Sequence, residues 1–556
     1  MSGLDIDLRK KLLNLYNKKK YSELEFEIEL LGDLETQPLP IIMTYAASKA
    51  LNLSSKKEDF VKAAYLFEKI YNQDKNNLEA LYNLIIVSLK SKEFIYALNH
   101  LIERVKINKE DIKVLEGLFK IYSILGNISQ ALNYAEQLIK INPGDLNVWE
   151  GILSSFHYIS NKSQEEYFKQ ALEFDKLPKI NCEPFIKINN KKSKIKLAFL
   201  SPDFKMHSVG FFLKGVLEKI SKKDFEIIAF SNLDTKYHDP MTDDLKKIFN
   251  KWHDIKNISD LEFVNLARSL DVDILIDLSG FTLGNRIQAL RVRCAPIQIS
   301  WLGYCNTLGL ECVDYLIADP NLIKKEEEKF YSEKILYLPN IWNAMSKPKD
   351  FPDVNILPVK NNSIFTFGSF NNFSKLSDET IKVWSKILNN SNSRLVLKSG
   401  SLTSDSTIEN IRNKFFKFIL EKNKILILNK DINRKDHIEQ YNQIDVALDP
   451  FPYPGVTTSF ESVMMGVPVL TMRGFNFNSR CGESINLNLE MQEFIATNSE
   501  DYYLKAIQLQ KDPTKLELLR GSLREKVLAS PLFDVDNFSE NFCNTLKKVW
   551  NNHIDG

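Results

Sequence analysis

The chain has 556 residues, of which 44% are hydrophobic and 26% charged, a composition typical of a globular protein with material for two or three cores. Lys and Arg (73) nearly balance Asp and Glu (72), so the net charge gives no reason to expect nucleic acid or an anionic membrane as a partner. No apolar stretch reaches the roughly 20 residues that span a bilayer, and the charged N-terminus lacks a signal-peptide core. These features predict a cytoplasmic protein whose anion sites are local.

The six cysteines show no CxxC pair, which argues against a zinc site and against a disulfide framework. We expect reduced, partly buried thiols and no bound metal. The cysteines are Cys182, Cys294, Cys305, Cys312, Cys481 and Cys543.

The N-terminal third of the chain repeats at a fixed offset of 34 residues. Three sets of apolar positions and one set of alanines keep this step: Phe60/Phe94/Ile128, Leu78/Ile112/Leu146, Leu84/Leu118/Ile152 and Ala63/Ala97/Ala131. The pattern resembles the tetratricopeptide repeat, whose helix-turn-helix units stack into a superhelix with a concave binding face. We predict such an array over residues 1–177, with residues 1–58 as a capping unit; an irregular helical bundle is the alternative. The array offers a surface for protein acceptors and for a homo-oligomer.

Residues 178–194 are polar and basic and lack a helical period, which indicates a linker or a docking segment. From Ile195 onward, short apolar runs alternate with helical stretches, which predicts parallel sheets. Each half contains about five predicted strands, KLAFLS, FEIIAFS, DILIDLS, IQISWLG and DYLIAD, then IFTFGSF, RLVLKS, KILILN, DVALDP and PVLTM. The sequence thus predicts two doubly wound lobes, residues 195–345 and 346–530, whose strand C-termini face a common cleft.

The stretch 449–472, DPFPYPGVTTSFESVMMGVPVLTM, has the form of a strand end, a Pro/Gly-rich turn, a helix start and a second strand. Thr457 and Thr458 are hydroxyls suited to capping that helix, and Glu461 follows one turn later. A helix N-terminus presents backbone N–H groups and the positive end of its dipole, so a diphosphate is the expected ligand and Glu461 could accept from a sugar hydroxyl. An ordinary βα loop is the alternative.

Two further side chains are candidates for the same site. Lys375 lies between a predicted strand and a helix capped by Ser377 or Asp378, where its charge could face a leaving diphosphate. His437 lies on a short helix immediately before the strand that leads into the Pro/Gly-rich turn at residues 449–458, which we call the anion turn. A surface lysine and a structural histidine are the alternatives.

In the first lobe, SPDFKMHSVG places Asp203 and His207 at the C-terminal edge of a strand, facing the cleft. A histidine at such a point is a candidate acid/base or substrate-orienting group. A helix-capping histidine is the alternative.

Several long motifs follow one another along the chain: SPDF…HSVG, the run 280–309 with RCAPIQISWLGY, FGSFNNFSK, DPFPYPGVTTSFES and MGVPVLTM. Together they resemble the protein O-linked N-acetylglucosamine transferase / SPINDLY family, which joins tetratricopeptide repeats to a two-lobed GT-B glycosyltransferase. The resemblance covers nearly the whole chain. It extends to the tail, residues 531–556, which looks like the family's closing helix that packs the lobes together.

The resemblance implies an inverting, metal-independent transfer of a sugar from a nucleotide diphosphate to Ser or Thr of protein acceptors, with no cofactor besides the donor. It places Lys375 on the departing diphosphate, Glu461 on the ribose and His437 against the nucleobase. The nucleotide-sugar-binding residues that it implies are Asn372, Lys375, Arg434, His437, Thr457, Thr458 and Glu461. Its catalytic candidates are His207 at the acceptor and sugar side, Lys375, and Asp273 at a nearby position; it identifies no general base.

The chain also departs from parts of the family pattern. DPFPYPGVTT and FGSFNN are closer to SPINDLY, whose plant members transfer fucose from GDP-fucose, so the donor stays open between UDP-N-acetylglucosamine and GDP-fucose. Phe281 stands where members often have His or Tyr, which speaks against a catalytic role there. Asn83 is followed at the 34-residue step by Gly117 and Gly151, so an asparagine ladder that grips acceptor backbone is not supported.

Three functions therefore remain open from the sequence. The first is a protein O-glycosyltransferase that recognises protein acceptors through its repeats and cleft. The second is a GT-B transferase acting on a glycan or lipid-linked acceptor. The third is a non-catalytic repeat scaffold that uses its sugar-nucleotide fold as a sensor, which the joint presence of the site residues disfavours.

Overall fold

The computed structural model describes residues 6–186, 193–348, 351–400, 405–428 and 433–555, except for the side chains of residues 405–407. No helix within these ranges is both long enough and apolar enough to cross a membrane. The helices are α1 (Ile6–Asn17), α2 (Tyr21–Glu29), α3 (Leu39–Leu51), α4 (Lys57–Gln73), α5 (Leu78–Ser91), α6 (Ile95–Ile107), α7 (Ile112–Ile124), α8 (Ile128–Ile141), α9 (Leu146–Ser155), α10 (Gln164–Asp175), α11 (Ser208–Lys219), α12 (Pro240–Ile248), α13 (Asp260–Ser269), α14 (Ile287–Leu290), α15 (Pro358–Asn362), α16 (Asp378–Asn389), α17 (Asp405–Phe416), α18 (Arg434–Glu439), α19 (Thr457–Met464), α20 (Cys481–Asn488), α21 (Ser499–Lys511), α22 (Pro513–Leu528) and α23 (Val535–Asp555). The strands are β1 (Ile195–Ser201), β2 (Phe225–Ser231), β3 (Lys251–Asp254), β4 (Ile274–Asp277), β5 (Ile297–Ser300), β6 (Tyr315–Ala318), β7 (Lys334–Tyr337), β8 (Phe365–Ser369), β9 (Ser393–Leu397), β10 (Ile425–Ile427), β11 (Val446–Leu448), β12 (Val469–Met472) and β13 (Ile495–Ala496).

The chain divides into two compact units, and each is described by itself. The first comprises Met1–Asp145 with Ser401–Asn413, and the second comprises Leu146–Gly400 with Lys414–Gly556. The helical unit therefore ends before α9, whereas the sequence places the end of the array at residue 177. The segment 401–413, which the sequence assigns to the second lobe, groups with the repeats instead. Its Asn410 donates a hydrogen bond to the carbonyl of Leu125.

The first unit consists of the predicted helical repeats. Helices α5 and α7 begin 34 residues apart, at Leu78 and Ile112. The periodic alanines of α4, α6 and α8 are fully buried, as expected where helices approach closely. Gly117 in α7 occupies a tightly packed repeat position, since an added Cβ would lie 3.0 Å from the side chain of Ile85. Close packing therefore favours a small residue at position 117, where an asparagine ladder would require an asparagine.

The second unit has the two α/β lobes of a GT-B fold. The first lobe is a seven-stranded sheet in the order β3-β2-β1-β4-β5-β6-β7, and the second is a six-stranded sheet in the order β10-β9-β8-β11-β12-β13. Every described strand pair is parallel. All ten predicted strands are confirmed. The three strands that were not predicted, β3, β7 and β13, are short and lie at sheet edges, where β3 and β7 are too solvated to show an apolar run.

Helix α10 belongs to the second unit because the first lobe holds its C-terminus. The fully buried Arg291 donates to the carbonyls of Leu177 (2.5 Å) and Pro178 (3.1 Å), just beyond the last turn of α10. The hydroxyl of Tyr167 in α10 lies 2.6 Å from that of Tyr304. Carbonyls at a helix C-terminus lack partners within the helix, and a buried guanidinium satisfies several at once. The first part of the predicted linker is therefore a docking segment, and residues 187–192 lie outside the described residues.

The tail forms the predicted closing helix. Phe542 of α23 packs on Trp301 of the first lobe, with ring centroids 4.7 Å apart. Just before α23, Phe533 packs on Phe460 of the second lobe (5.7 Å), and Phe460 packs on Phe212 of the first (5.0 Å). This aromatic chain buries apolar surface from both lobes and holds them together.

Candidate active site

A cleft of about 790 Å³ lies between the two lobes of the second unit. Its walls come from the loops that follow the C-terminal ends of the parallel strands, the edge at which open α/β sheets bind ligands. This volume is in the range of small-molecule sites, roughly 300–1,000 Å³. Five of the predicted site residues line it: His207, Asn372, Lys375, Thr457 and Thr458.

The anion turn connects β11 to α19. The helix begins at Thr457 and is preceded by Val456, whose side chain cannot cap it, so the expected capping by the threonine hydroxyls is not found. The Thr458 hydroxyl instead donates to Asn371 Oδ1 at 3.0 Å. The turn is closed by Asp449, whose Oδ1 accepts from the Gly455 N–H at 2.6 Å. The first turn of α19 consequently lines the cleft, with the positive end of its dipole on that side.

Lys375 is tied to this turn. It ends a short 3-10 turn after β8, and Ser377 caps the following helix α16, as predicted. Its Nζ donates to the carbonyl of Pro454 at 2.8 Å and lies 4.0 Å from the ring centroid of Tyr453. Burial lowers the pKa of Lys375 to about 8, although the Asp449 carboxylate acts in the opposite direction. A cation is therefore held against the anion turn in a poorly hydrated environment.

Arg434, His437 and Glu461 form a charged cluster beside the cleft. The buried Glu461 accepts from Arg434 Nη2 (2.8 Å), His437 Nε2 (3.3 Å) and the Tyr441 hydroxyl (3.2 Å). Burial acts to raise the pKa of Glu461, but the His437 hydrogen bond and the Arg434 charge bring it below its ordinary value. Lys398 Nζ lies 3.0 Å from His437 Nδ1, which makes Nδ1 the acceptor and Nε2 the donor to Glu461. Lys398, His437 and Glu461 thus form a continuous series of hydrogen bonds, in which Glu461 is the final acceptor.

This cluster is linked to the cleft and does not form its wall. The Tyr441 hydroxyl that contacts Glu461 is also 3.2 Å from the carbonyl of Thr458, which competes for its single proton. Arg434 places its guanidinium 3.9 Å from the ring centroid of Phe211 in α11 of the first lobe. Both Arg434 and His437 keep 29% of their side-chain surface exposed, whereas Glu461 keeps 3%. The arrangement leaves the arginine and the histidine as the surfaces that a ligand can reach.

His207 lies on the opposite wall, at the N-cap of α11. Its Nδ1 accepts from the Val209 N–H at 3.4 Å, and the same atom is 3.6 Å from Asp203 Oδ2. Burial lowers the pKa of His207, while the Asp203 charge opposes this shift. A neutral imidazole with two competing partners at Nδ1 can exist as either tautomer. Capping and a chemical role are therefore both compatible with its position.

Asp273 is not where it was expected. It precedes β4, at the N-terminal edge of the sheet, where its Oδ2 accepts from the Lys196 N–H at 2.8 Å. The cleft lies at the opposite edge, so the predicted position near His207 is wrong. An acidic residue stands at each end of β4, and the one at its C-terminal end, the edge on which the cleft lies, is the buried Asp277. Asp277 accepts from the Gly280 N–H at 2.6 Å, and burial raises its pKa to about 7.

Three contributors to the site were not predicted. Lys398 directly follows β9, so the strand-end argument used for Lys375 could have found it. Tyr453 lies within the anion turn, but only the structure shows its ring against Lys375. Tyr158 lines the cleft from the connection between α9 and α10 and packs on Tyr453 at 5.0 Å. Nothing in the sequence pointed to Tyr158, since it lies in the segment assigned to the repeats.

The chain is similar in sequence and in fold to known proteins. The model of glycosyl transferase family 41 matches residues 169–355 and 355–542. The SPINDLY protein of Solanum lycopersicum, named a probable UDP-N-acetylglucosamine–peptide N-acetylglucosaminyltransferase, is 32% identical over 368 residues, which are 65% of this chain and 39% of that protein. The similarly named SEC protein of Arabidopsis thaliana is 26% identical over 377 residues, 65% of this chain and 38% of that protein. The match thus spans about two fifths of the length of these relatives.

Among solved structures, an O-GlcNAc transferase of Thermobaculum terrenum, determined as a point mutant, superposes with a TM-score of 0.79. It is 24% identical, and the alignment covers 94% of this chain and 99% of that one. The two proteins therefore share a fold of helical repeats followed by a GT-B domain. With the family model matching well over half of its residues, this chain belongs to glycosyl transferase family 41.

Proposed function

We propose that this chain is an inverting protein O-glycosyltransferase that moves a sugar from a nucleotide diphosphate to Ser or Thr hydroxyls of other proteins. The observation that carries the proposal is the meeting of Lys375 and the α19 turn with His207 across one cleft. Membership of family 41 and the printed names of the relatives support the reaction class. The helical repeats support a protein acceptor, since such arrays suit extended partners.

At the donor end, Lys375 and the first turn of α19 stabilise the charge that develops on the leaving diphosphate. Thr457 and Thr458 supply the N–H groups and hydroxyls of that turn, and Asn372 lines the same pocket. A fixed positive charge in a poorly hydrated site acts more strongly than in water. Because these groups themselves stabilise the negative charge on the diphosphate, the proposed transfer needs no metal ion.

The nucleoside extends from the diphosphate toward the Arg434, His437 and Glu461 cluster. The exposed faces of His437 and Arg434 pack against the base and the ribose, and the buried Glu461 fixes both side chains behind them. The donor is either UDP-N-acetylglucosamine or GDP-fucose. The names of the relatives favour the first, and the SPINDLY-like form of the anion turn favours the second.

In the transfer step, the acceptor hydroxyl oxygen forms a bond to the anomeric carbon while the bond from that carbon to the diphosphate breaks. The hydroxyl proton passes to Nε2 of His207, and the nucleoside diphosphate leaves from the opposite face of the sugar. This role requires the tautomer in which Nδ1–H points to Asp203 and Nε2 has the free lone pair. The Asp203 carboxylate then stabilises the imidazolium that forms.

Mass spectrometry of a protein acceptor, incubated with the purified chain and either donor in the presence of EDTA, tests the proposal. We expect one of the two donors to add its sugar to Ser or Thr, and the mass of the adduct identifies the sugar. If neither donor modifies the protein acceptor or a peptide made from it, the assignment as a protein glycosyltransferase is contradicted. Modification of a glycan or lipid-linked acceptor instead would establish the second candidate function. A thermal shift with UDP and GDP completes the test, since stabilisation by either nucleotide without transfer to any acceptor would indicate the scaffold with a sensor fold.

A further inference from the structure

One peptide group of the anion turn links Lys375 to a buried carboxylate. The carbonyl of Pro454 accepts from Lys375 Nζ at 2.8 Å. The N–H of Gly455 belongs to the same peptide group and donates to Asp449 Oδ1 at 2.6 Å. The oxygen and the hydrogen of a trans peptide group point in opposite directions. The carboxylate that fixes this N–H therefore also fixes the direction of the carbonyl that holds Lys375.

The Asp449 side chain is itself firmly held. It directly follows β11, is 1% exposed, and its Oδ2 accepts from the Thr471 hydroxyl at 3.0 Å. Two glycines leave room for the carboxylate: a Cβ added at Gly455 would lie 3.0 Å from Oδ1, and one added at Gly482 would lie 2.7 Å from Oδ2. A carboxylate enclosed in this way is a fixed anchor for the peptide group in front of it.

We propose that Asp449 is a positioning residue, which orients the Pro454–Gly455 peptide group so that its carbonyl holds the Lys375 ammonium at the anion turn. The inference rests on the proposed function, in which Lys375 stabilises the leaving diphosphate. Asp449 is buried, so it acts through the peptide group and not by touching the donor. Without an acceptor for the Gly455 N–H, this group is free to rotate toward another partner, and Lys375 loses its carbonyl.

The charges of the two side chains add to this arrangement. Burial lowers the pKa of Lys375 to about 8, and the Asp449 carboxylate opposes this shift. Burial raises the pKa of Asp449 to about 7, and the Gly455 N–H and the Lys375 charge oppose that shift. Asp449 is therefore charged at the pH where Lys375 titrates, and removal of its charge should move the titration of Lys375 to lower pH. The substitutions below leave unchanged the other titratable side chains that interact with Lys375, which include Tyr453, His157, Cys305 and Cys481.

The test labels the Lys375 amine of the purified full chain with acetic anhydride at a series of pH values, and mass spectrometry counts the acetylated peptide. Only the neutral amine reacts, so the midpoint of labelling reports the titration of Lys375. We expect a midpoint near pH 8 for the wild type. In Asp449→Asn, the amide oxygen can still accept from the Gly455 N–H, and the midpoint should lie at least about half a pH unit lower. Equal midpoints would overturn the proposal.

Sugar transfer then separates the hold on the peptide group from the charge. Asp449→Ala leaves the Gly455 N–H without its acceptor and should lower kcat about tenfold or more, whereas Asp449→Asn should stay within about threefold of the wild type at pH 7. Equal losses in both variants would show that Asp449 acts through its charge alone and would overturn the positioning role. If the alanine variant does not fold, the labelling of Asp449→Asn still decides the proposal. Labelling does not depend on transfer, so its failure is distinct from failure of the proposed function.

Asp445→Asn is the matched control. Asp445 directly precedes β11, is fully buried, and accepts from the backbone N–H groups of Val359 (2.9 Å) and Thr366 (2.8 Å). The two carboxylates thus lie at opposite ends of one strand and both hold backbone N–H groups, but only Asp449 holds one in the anion turn. Asp445→Asn should lower stability and leave the labelling midpoint of Lys375 unchanged. A midpoint shift as large as that of Asp449→Asn would contradict the assignment.

Discussion

The two walls of the cleft are built differently. On the donor side, the charged groups have fixed partners: Glu461, beside the cleft, is 3% exposed and accepts from three side chains, and Lys375, in the cleft wall, donates to a backbone carbonyl at 2.8 Å. On the acceptor wall, His207 is 43% exposed and lies 3.6 Å from Asp203, with one long hydrogen bond to the backbone. The second lobe presents a preorganised electrostatic site, and the first lobe presents a side chain that is still free to change partners.

This difference has a chemical reason. Stabilising a leaving diphosphate requires charges that are already in place, because reorganising them during the reaction would cost the energy that they supply. A group that takes a proton from an incoming acceptor must instead remain reachable. Substitutions on the donor wall should therefore affect both nucleotide binding and transfer, whereas those on the acceptor wall should affect transfer alone.

The largest effect is expected for Lys375→Ala. Loss of the only described lysine that lines the cleft next to the α19 turn should lower the transfer rate by about 100- to 1,000-fold, as removal of one electrostatic donor typically does. Single-turnover sugar transfer and the circular dichroism of the variant would be measured together. Lys386→Ala is the matched control, since Lys386 is 45% exposed and pairs with Glu500 on the surface of the same lobe. Near-normal transfer by a folded Lys375→Ala protein would contradict the role of Lys375.

The next largest effect is expected for His207→Ala, which should lower transfer roughly 10- to 100-fold while the nucleotide Kd changes by less than about twofold. The alanine also removes the N-cap of α11, which costs about 1 kcal/mol. His207→Asn separates the two effects, because asparagine caps a helix but cannot act as a base. Equal rates for the asparagine variant and the wild type would assign His207 to capping alone, and weaker nucleotide binding would assign it to the donor wall.

The pH dependence of kcat/KM tests the electrostatic state of the donor wall. Burial lowers the pKa of Lys375 from its ordinary value to about 8, so the ammonium is present below pH 8 and is lost as the pH rises through that value. We expect kcat/KM to fall above pH 8 and to approach a tenfold loss per pH unit. Lys375→Arg should remove this limb at a lower absolute rate, because a guanidinium stays charged. An unchanged alkaline limb in the arginine variant would assign the titration to another group.

Glu461→Gln should have a smaller effect, which lowers transfer only through weaker nucleotide binding. The neutral amide leaves Arg434 without its carboxylate partner and weakens the hold on His437, which we expect to raise the Kd of the preferred nucleotide about fivefold. Calorimetric titration with UDP and with GDP would measure it. Glu483→Gln is the control, because Glu483 is also buried and pairs with an arginine, Arg473, but belongs to α20 and not to the Arg434, His437 and Glu461 cluster. Equal Kd values for wild type and Glu461→Gln would exclude the cluster from nucleotide binding.

The parts of the site that were predicted from the sequence are those at strand ends. Buried parallel strands are recognisable as apolar runs, and the residues that follow them, such as Lys375 and His207, necessarily reach the ligand-binding edge of the sheet. The partners of Glu461 could not be predicted in this way, because none of them follows a strand. Arg434 and His437 lie on α18, Tyr441 lies just after it, and only the folded chain brings them to Glu461 of α19. Likewise, no sequence pattern marked Arg291 as buried, although its hydrogen bonds just beyond the end of α10 attach that helix to the second unit.

The smallest effect is expected for Asp273→Asn, which compares the two edges of one sheet. Asp273 accepts the Lys196 N–H at the edge away from the cleft, and an asparagine oxygen can accept the same bond. We therefore expect kcat/KM within about twofold of the wild type and a loss of stability near 1 kcal/mol, which steady-state kinetics and urea denaturation would measure. Asp273 and Asp277 lie at opposite ends of β4, so the substitution probes the end of the strand that points away from the cleft. A tenfold loss of transfer by a stable Asp273→Asn protein, with nucleotide binding intact, would show that this edge of the sheet also takes part in the reaction.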